Sequence, residues 1–173
     1  VSVVRDRSLG REMSARRIAF DNPMRRDELL ATARKAASLE HPAVVKVYEV
    51  VEAPGEVIIV SELVHGRTLR ERLNEAALPP AEAARVLRPV GEALAAAHAT
   101  GLAHGRLHAG NVILEESGGV RLADFGTCDS DATAARDLAA LASLIEETMG
   151  GPERLPPAAA ELRCPHCGVL VPL

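Results

Sequence analysis

Apolar and polar residues alternate along the chain in two rhythms, and the places where the rhythm changes mark its elements. The first residues read as two strands, Val1–Asp6 and Glu12–Phe20, turning at Leu9-Gly10. Asp21-Asn22-Pro23 breaks that pattern, and residues 25–39 then carry Leu29, Ala33 and Ala36 at helical spacing until His41-Pro42. Val44–Ala53 and Glu56–Glu62 are rich in β-branched residues around Ala53-Pro54-Gly55, which predicts a hairpin. The order so far is β-β-α-β-β. Gly66 and Thr68 open a short helix over about 68–76.

Residues 80–99 form the longest helical stretch, with Val86, Val90, Leu94 and Ala97 on one stripe. Pro89 lies inside it and costs on the order of 3 kcal/mol in a helix interior. The pattern leaves open whether the helix kinks there or begins later. Val112–Leu114 and Val120–Ala123 predict a second hairpin around Ser117-Gly118-Gly119. Residues 132–149 predict a further helix containing Leu138, Leu141, Leu144 and Ile145, stopped by Gly150-Gly151-Pro152. Pro156-Pro157-Ala158-Ala159-Ala160 reads as a linker into a tail that holds two of the three cysteines.

Composition narrows the function classes. Hydrophobic residues make up 47% of the 173, but aromatics only 2%, so Ala and Leu must fill the core. Charge is near balance, 20 basic against 24 acidic residues, with no basic tract, which argues against nucleic-acid binding. No apolar run approaches the roughly 20 residues of a membrane span. An odd cysteine count, with a C-P-H-C among them, argues against a disulfide framework and for a cytoplasmic setting.

Two segments carry the chemistry. His104-Gly105-Arg106-Leu107-His108-Ala109-Gly110-Asn111 and Asp124-Phe125-Gly126 resemble the catalytic loop H-R-D-L-x-x-x-N and the metal-binding D-F-G of protein kinases. They stand in that family's order, after a helix and on either side of a strand pair. Leu39-Glu40-His41-Pro42-Ala43-Val44-Val45 resembles the segment that follows helix αC in bacterial Ser/Thr kinases, and residues 58–69 resemble the strand and hinge that join the lobes. The resemblance covers about residues 1–150. It implies an α+β, protein-kinase-like two-lobed fold: a small β-rich N-lobe over residues 1–65, a shortened helical C-lobe over 66–151, and a linker and tail over 152–173.

The same resemblance exposes departures at chemical positions. Phosphoryl transfer by kinases needs a Lys on the phosphates, a Glu that holds it, metal ligands, and an Asp that accepts the hydroxyl proton. Gly10-Arg11-Glu12-Met13-Ser14-Ala15-Arg16 matches the strand bearing that Lys and places Arg16 there; the chain's two lysines, Lys35 and Lys46, lie elsewhere. The αC Glu becomes Thr32, with Glu28 one turn earlier as a substitute partner for Arg16. Arg106 replaces the catalytic Asp, and a guanidinium keeps its proton at neutral pH. His108 stands where a Lys would contact the transferring phosphate. Between Gly126 and Ala134-Ala135-Arg136-Asp137-Leu138, which resembles the buried helix αF with Asp137 as its anchor, there is no room for the activation segment ending in A-P-E.

What the resemblance implies is therefore a degenerate, truncated member of the eukaryotic-like bacterial Ser/Thr kinases. It would be a pseudokinase serving as a binding or regulatory module with a protein partner, its glycine-rich loop lying upstream of Val1. Arg16, Glu62, Val64, Asn111 and Asp124 are the candidate nucleotide contacts, with Asn111 and Asp124 as hard oxygen ligands for magnesium beside ATP. One alternative is an active or atypical Ser/Thr kinase. Another is a zinc-binding interaction module: Cys164-Pro165-His166-Cys167-Gly168 resembles one knuckle of a zinc ribbon, although structural zinc takes about four ligands and no second C-x-x-C follows.

Overall fold

The computed structural model describes residues 1–127, 132–151, 161–163 and 170–172. The N-terminal part is a four-stranded antiparallel sheet, β1 (Ser2–Arg5), β2 (Glu12–Ala19), β3 (Val47–Ala53) and β4 (Glu56–Glu62), in spatial order β1-β2-β4-β3. Helix α1 (Pro23–Ala37) packs on β3 and β4 and buries Leu29, Leu30, Ala33 and Ala36 against Val57 and Ile59. It begins two residues before the predicted start. Asn22 caps it, its side-chain oxygen accepting the Arg25 N–H at 2.8 Å, and Pro23 takes the first position, where a missing N–H goes unnoticed. The tripeptide that broke the strand pattern is thus the helix start signal.

After β4 the chain crosses into a second layer. Ahead of the expected short helix, Gly66–Thr68 forms a strand the sequence did not signal, β5, which pairs with β6 (Val112–Glu115); β6 pairs in turn with β7 (Val120–Leu122). The strand is possible because residue 66 is glycine. A Cβ there would sit 2.1 Å from the Leu114 carbonyl oxygen. Thr68 then caps the short helix α2 (Leu69–Leu73) in a reciprocal capping box with Glu71.

Helix α3 (Pro80–Ala99) is continuous through Pro89, which resolves the choice left by the sequence. Its apolar stripe, Val86, Leu87, Val90, Ala93, Leu94 and Ala97, is fully buried on both sides of the proline, so packing holds the two halves in line. The carbonyl that Pro89 leaves without a donor belongs to Arg85, an exposed residue on a water-facing turn. Helix α4 (Ala134–Met149) packs beside α3, capped by the Thr133 side chain and ended by Gly150 at φ 82°. Strands β8 (Glu161–Arg163) and β9 (Leu170–Pro172) form a small antiparallel hairpin. The segment between them, with Cys164 and Cys167, lies outside the described residues.

The two layers are tied by backbone. Leu122 donates to the Ala43 carbonyl at 2.6 Å and accepts from the Val45 N–H at 3.0 Å, so β7 clamps the loop after α1. Arg121, next to it, reaches the Val44 carbonyl at 3.2 Å and pairs with Glu62 at the end of β4. One strand of the lower layer therefore fixes both the α1 exit and the crossover.

Replacing Pro89 by Ala restores an intrahelical hydrogen bond without touching the buried stripe. Pro89→Ala should stabilise the fold by about 1–3 kcal/mol, read as a rise in thermal midpoint. An unchanged or lower midpoint would show that the proline conformation is part of the packing.

Candidate functional site

The loop from His104 to Asn111 is organised from beneath by one carboxylate. Asp137, on the first turn of α4 and 1% exposed, accepts the His104 N–H at 2.7 Å with one oxygen and the Gly105 N–H at 2.7 Å with the other. His98, at the end of α3, brings its Nε2 to 2.8 Å from the first oxygen. A carboxylate only accepts, so that ring nitrogen carries the proton. Burial pushes the Asp137 carboxyl up, but the His98 bond and the two backbone donors outweigh it and hold it below the usual carboxylate range. The expectation that Asp137 anchors this loop from a buried helix agrees with this geometry. His98 was not anticipated: at the end of an apolar stripe, nothing in the sequence separates it from a surface histidine.

His104 is a packing residue. It is wholly buried, its Nε2 donates to the Ala123 carbonyl at 2.9 Å, and its Nδ1 accepts the Arg106 N–H at 3.2 Å. Its ring meets Phe125 edge-on at 4.7 Å. Burial holds the imidazole below its ordinary value, favouring the neutral ring that makes both bonds.

Arg106 follows directly. Its backbone is fully engaged, the N–H on His104 and the carbonyl accepting from Asn111 Nδ2 at 2.9 Å, while the side chain is exposed and makes no ion pair among the described residues. Asn111 is 6% exposed, with its amide N–H₂ spent on bracing the loop and its side-chain oxygen left over. His108 turns its Nδ1 onto the Gly110 N–H at 3.1 Å and caps the short 3-10 turn Ala109–Asn111.

Across from this loop, Asp124-Phe125-Gly126 makes a sharp corner. Asp124 has φ 70°, the left-handed region that non-glycine residues avoid, and the Thr127 hydroxyl braces its carbonyl at 2.8 Å. Phe125 is 2% exposed. Gly126, at φ 80°, lies flat on α1: a Cβ would stand 2.9 Å from the Ala33 Cα and 2.9 Å from the Ala36 Cβ. The small residues at 33 and 36 let the helix approach this closely.

The charge on the corner is not where it was expected. Arg16, on β2, places its Nη2 2.5 Å from Asp124 Oδ2. Glu28, proposed as the partner of Arg16, instead lies 3.7 Å from Arg25 on its own helix. Thr32 turns its hydroxyl back onto the Glu28 carbonyl at 2.9 Å. With no carboxylate offered by α1, the guanidinium reaches across the layers to Asp124. Ser14, Arg16, Val45, Val47, Ile59, Ser61 and the corner residues enclose a gap of ≈ 20 Å³. Of the remaining candidates, Glu62 has its carboxylate committed to Arg121 and its N–H donated to the Lys46 carbonyl at 2.9 Å, and Val64 makes no backbone bond among the described residues. No group of three or more His, Cys, Asp or Glu suited to a metal occurs among the described residues, and Cys164 and Cys167 fall outside them.

A family model described as the protein kinase domain matches residues 6–150. The chain belongs to the protein kinase family. Its curated relatives place it among the bacterial Ser/Thr kinases. It is 35% identical over 129 residues to the probable serine/threonine-protein kinase PknB of Corynebacterium glutamicum, covering 70% of this chain and 20% of that protein. It is 43% identical over 95 residues to serine/threonine-protein kinase PknL of Mycobacterium tuberculosis, covering 54% of this chain and 24% of that one. The chain thus spans about a fifth to a quarter of these relatives. Among solved structures, the kinase domain of Mycobacterium tuberculosis PknI superposes with a TM-score of 0.75 at 25% identity, over 87% of this chain and 68% of that one. Protein kinases in general use ATP with magnesium. No helix among the described residues is long and apolar enough to cross a membrane.

Asp137→Ala removes the acceptor of the His104 and Gly105 N–H groups, and should cost roughly 2–4 kcal/mol in urea denaturation; a loss within experimental error would remove the anchor role. Acid should act in the same direction. Both His104 and Asp137 titrate below their ordinary values in the fold, so the unfolded chain binds more protons and stability falls as pH falls. The loss begins as pH drops below the ordinary imidazole value of 6.5 and resumes below the ordinary carboxyl value of 3.8. A urea midpoint that stays level from neutral pH well into the first of these windows would contradict the assignment.

Proposed function

We propose that this kinase domain is catalytically silent, a pseudokinase that works as a binding and regulatory module with a nucleotide and a protein as its ligands. The observation that carries the reading is Arg106. It stands where the family's proton acceptor acts, and its guanidinium is exposed and unpaired among the described residues, with no carboxylate drawn to it. A positioned general base is worth about 10²–10⁴-fold. The remaining departures, Arg16 for the phosphate lysine and Thr32 for its glutamate, remove electrostatic positioning as well.

The parts that favour nucleotide binding are those that persist. The backbone of Val64, which makes no bond among the described residues, is offered to an adenine edge beside Glu62, and Asn111, Asp124 and Arg16 are the residues we assign to the phosphates. The Asp124 corner keeps its strained conformation, which the surrounding bonds maintain. A domain with Asn111 and Asp124 in place and no base at 106 is suited to changing the behaviour of a partner protein on binding, with no phosphate transferred.

Purified protein incubated with ATP labelled at the γ-phosphate should incorporate no more label into itself or into a generic Ser/Thr substrate than the Asp124→Ala variant does. Clear incorporation in the wild type, abolished by Asp124→Ala, would establish an active kinase instead.

A further inference from the structure

The pairing of Arg16 with Asp124 bears on how a nucleotide would be held. Magnesium requires near-octahedral oxygen donors and is usually held by one or two carboxylates together with substrate phosphates. At this corner the carboxylate is Asp124, and its Oδ2 already receives Arg16 Nη2 at 2.5 Å. The second candidate, Asn111, contributes one neutral oxygen. Among the described residues no other acidic side chain comes to Arg16: Glu28 is with Arg25, and position 32 is Thr. The side chains of Arg16 and Asp124 are 33% and 17% exposed, beside the apolar walls of Val45, Val47, Ile59 and Phe125, where a gap of ≈ 20 Å³ leaves room for about one water. A divalent ion placed on this carboxylate would have to share it with a permanent cation in a poorly screened setting. These residues do not fit magnesium.

They fit an anion. A guanidinium has about five N–H donors in a fixed fork, and Arg16 spends one of them on Asp124. Its Nη1 has no acceptor among the described residues, and a third of the side chain remains exposed to the cleft side of β2. The strand holds it rigidly in register, Arg16 facing Ile59 across β4.

We propose that Arg16 takes the place of the magnesium ion at Asp124, so that this domain binds a nucleoside triphosphate without a divalent metal. Arg16 neutralises Asp124 with one nitrogen and receives a phosphate oxygen with the other. This rests on the nucleotide-binding reading above and adds what sets its ion requirement. No bond is made or broken, and the ligand is released unchanged.

The test is calorimetric titration of the intact chain with ATP, once in EDTA and once in excess magnesium. Wild type should bind in EDTA with a Kd within about threefold of that in magnesium. Arg16→Ala, shown to be folded by its thermal melt, should lose at least about tenfold in EDTA and recover part of it when magnesium is added. Binding by the wild type only in magnesium overturns the substitution of ion by guanidinium while leaving nucleotide binding intact. No binding in either buffer removes both readings. A second arm uses manganese alone, followed by its paramagnetic signal. The wild type should leave it free and Arg16→Ala should take it up, whereas uptake by the wild type that is lost in Asp124→Ala overturns the inference whatever the nucleotide does.

Discussion

The catalytic-loop region hangs on one buried carboxylate. Asp137 sits on the first turn of α4 and receives N–H groups from His104 and Gly105 and from the ring of His98, so that one side chain joins two helices and a loop with no regular structure of its own. An ionised group out of water survives only when its lone pairs are filled, and here backbone and imidazole donors fill them. Because two of those donors are backbone, the carboxylate dictates the path of the chain. His104, once placed, carries the next bonds, to Ala123 and Arg106, and presents its ring to Phe125. The loop and the Asp124 corner are thus positioned together.

From that corner the constraint passes to the upper layer. Gly126 rests against Ala33 and Ala36 of α1, which any side chain at 126 would displace, and β7 grips the chain just beyond the helix through Ala43 and Val45. These contacts are steric and backbone-based, indifferent to which charged residues line the cleft. This explains how the architecture persists while Arg stands at 16 and 106 and Thr at 32. The scaffold and the chemistry use different atoms, and a kinase fold does not by itself imply kinase activity.

The charge rearrangement in the cleft is internally consistent. With Glu28 beside Arg25 and Thr at 32, the cation on β2 takes Asp124 as its counter-charge. The longer arm of Arg spans that distance and its fork leaves donors over, which a lysine ammonium held in the same way would present in a different geometry. With no carboxylate of α1 at hand, the corner carries an ion pair between Arg16 and Asp124.

Read by itself, the chain of residues determined the β-β-α-β-β start, the main helices, the hairpin around Gly118-Gly119 and the kinase-like motifs, but not the short strands Gly66–Thr68, Glu161–Arg163 and Leu170–Pro172. What it determined are local matters of periodicity, capping residues and ordered spacing. It also indicated the anchoring role of Asp137, through the resemblance of residues 134–141 to a buried helix. It gave the short helix that Thr68 opens but missed strand Gly66–Thr68, because a three-residue strand is made by its partner β6 and has no period of its own. It left Pro89 undecided, because the buried stripe that carries a helix across a proline is a tertiary sum. Only the folded structure decided that Arg16 pairs with Asp124 and not Glu28, that His98 completes the Asp137 site, and that Arg121 occupies Glu62. Those pairings join residues 108, 39 and 59 positions apart, and electrostatic partners at such separations are chosen by the packing that brings them within reach.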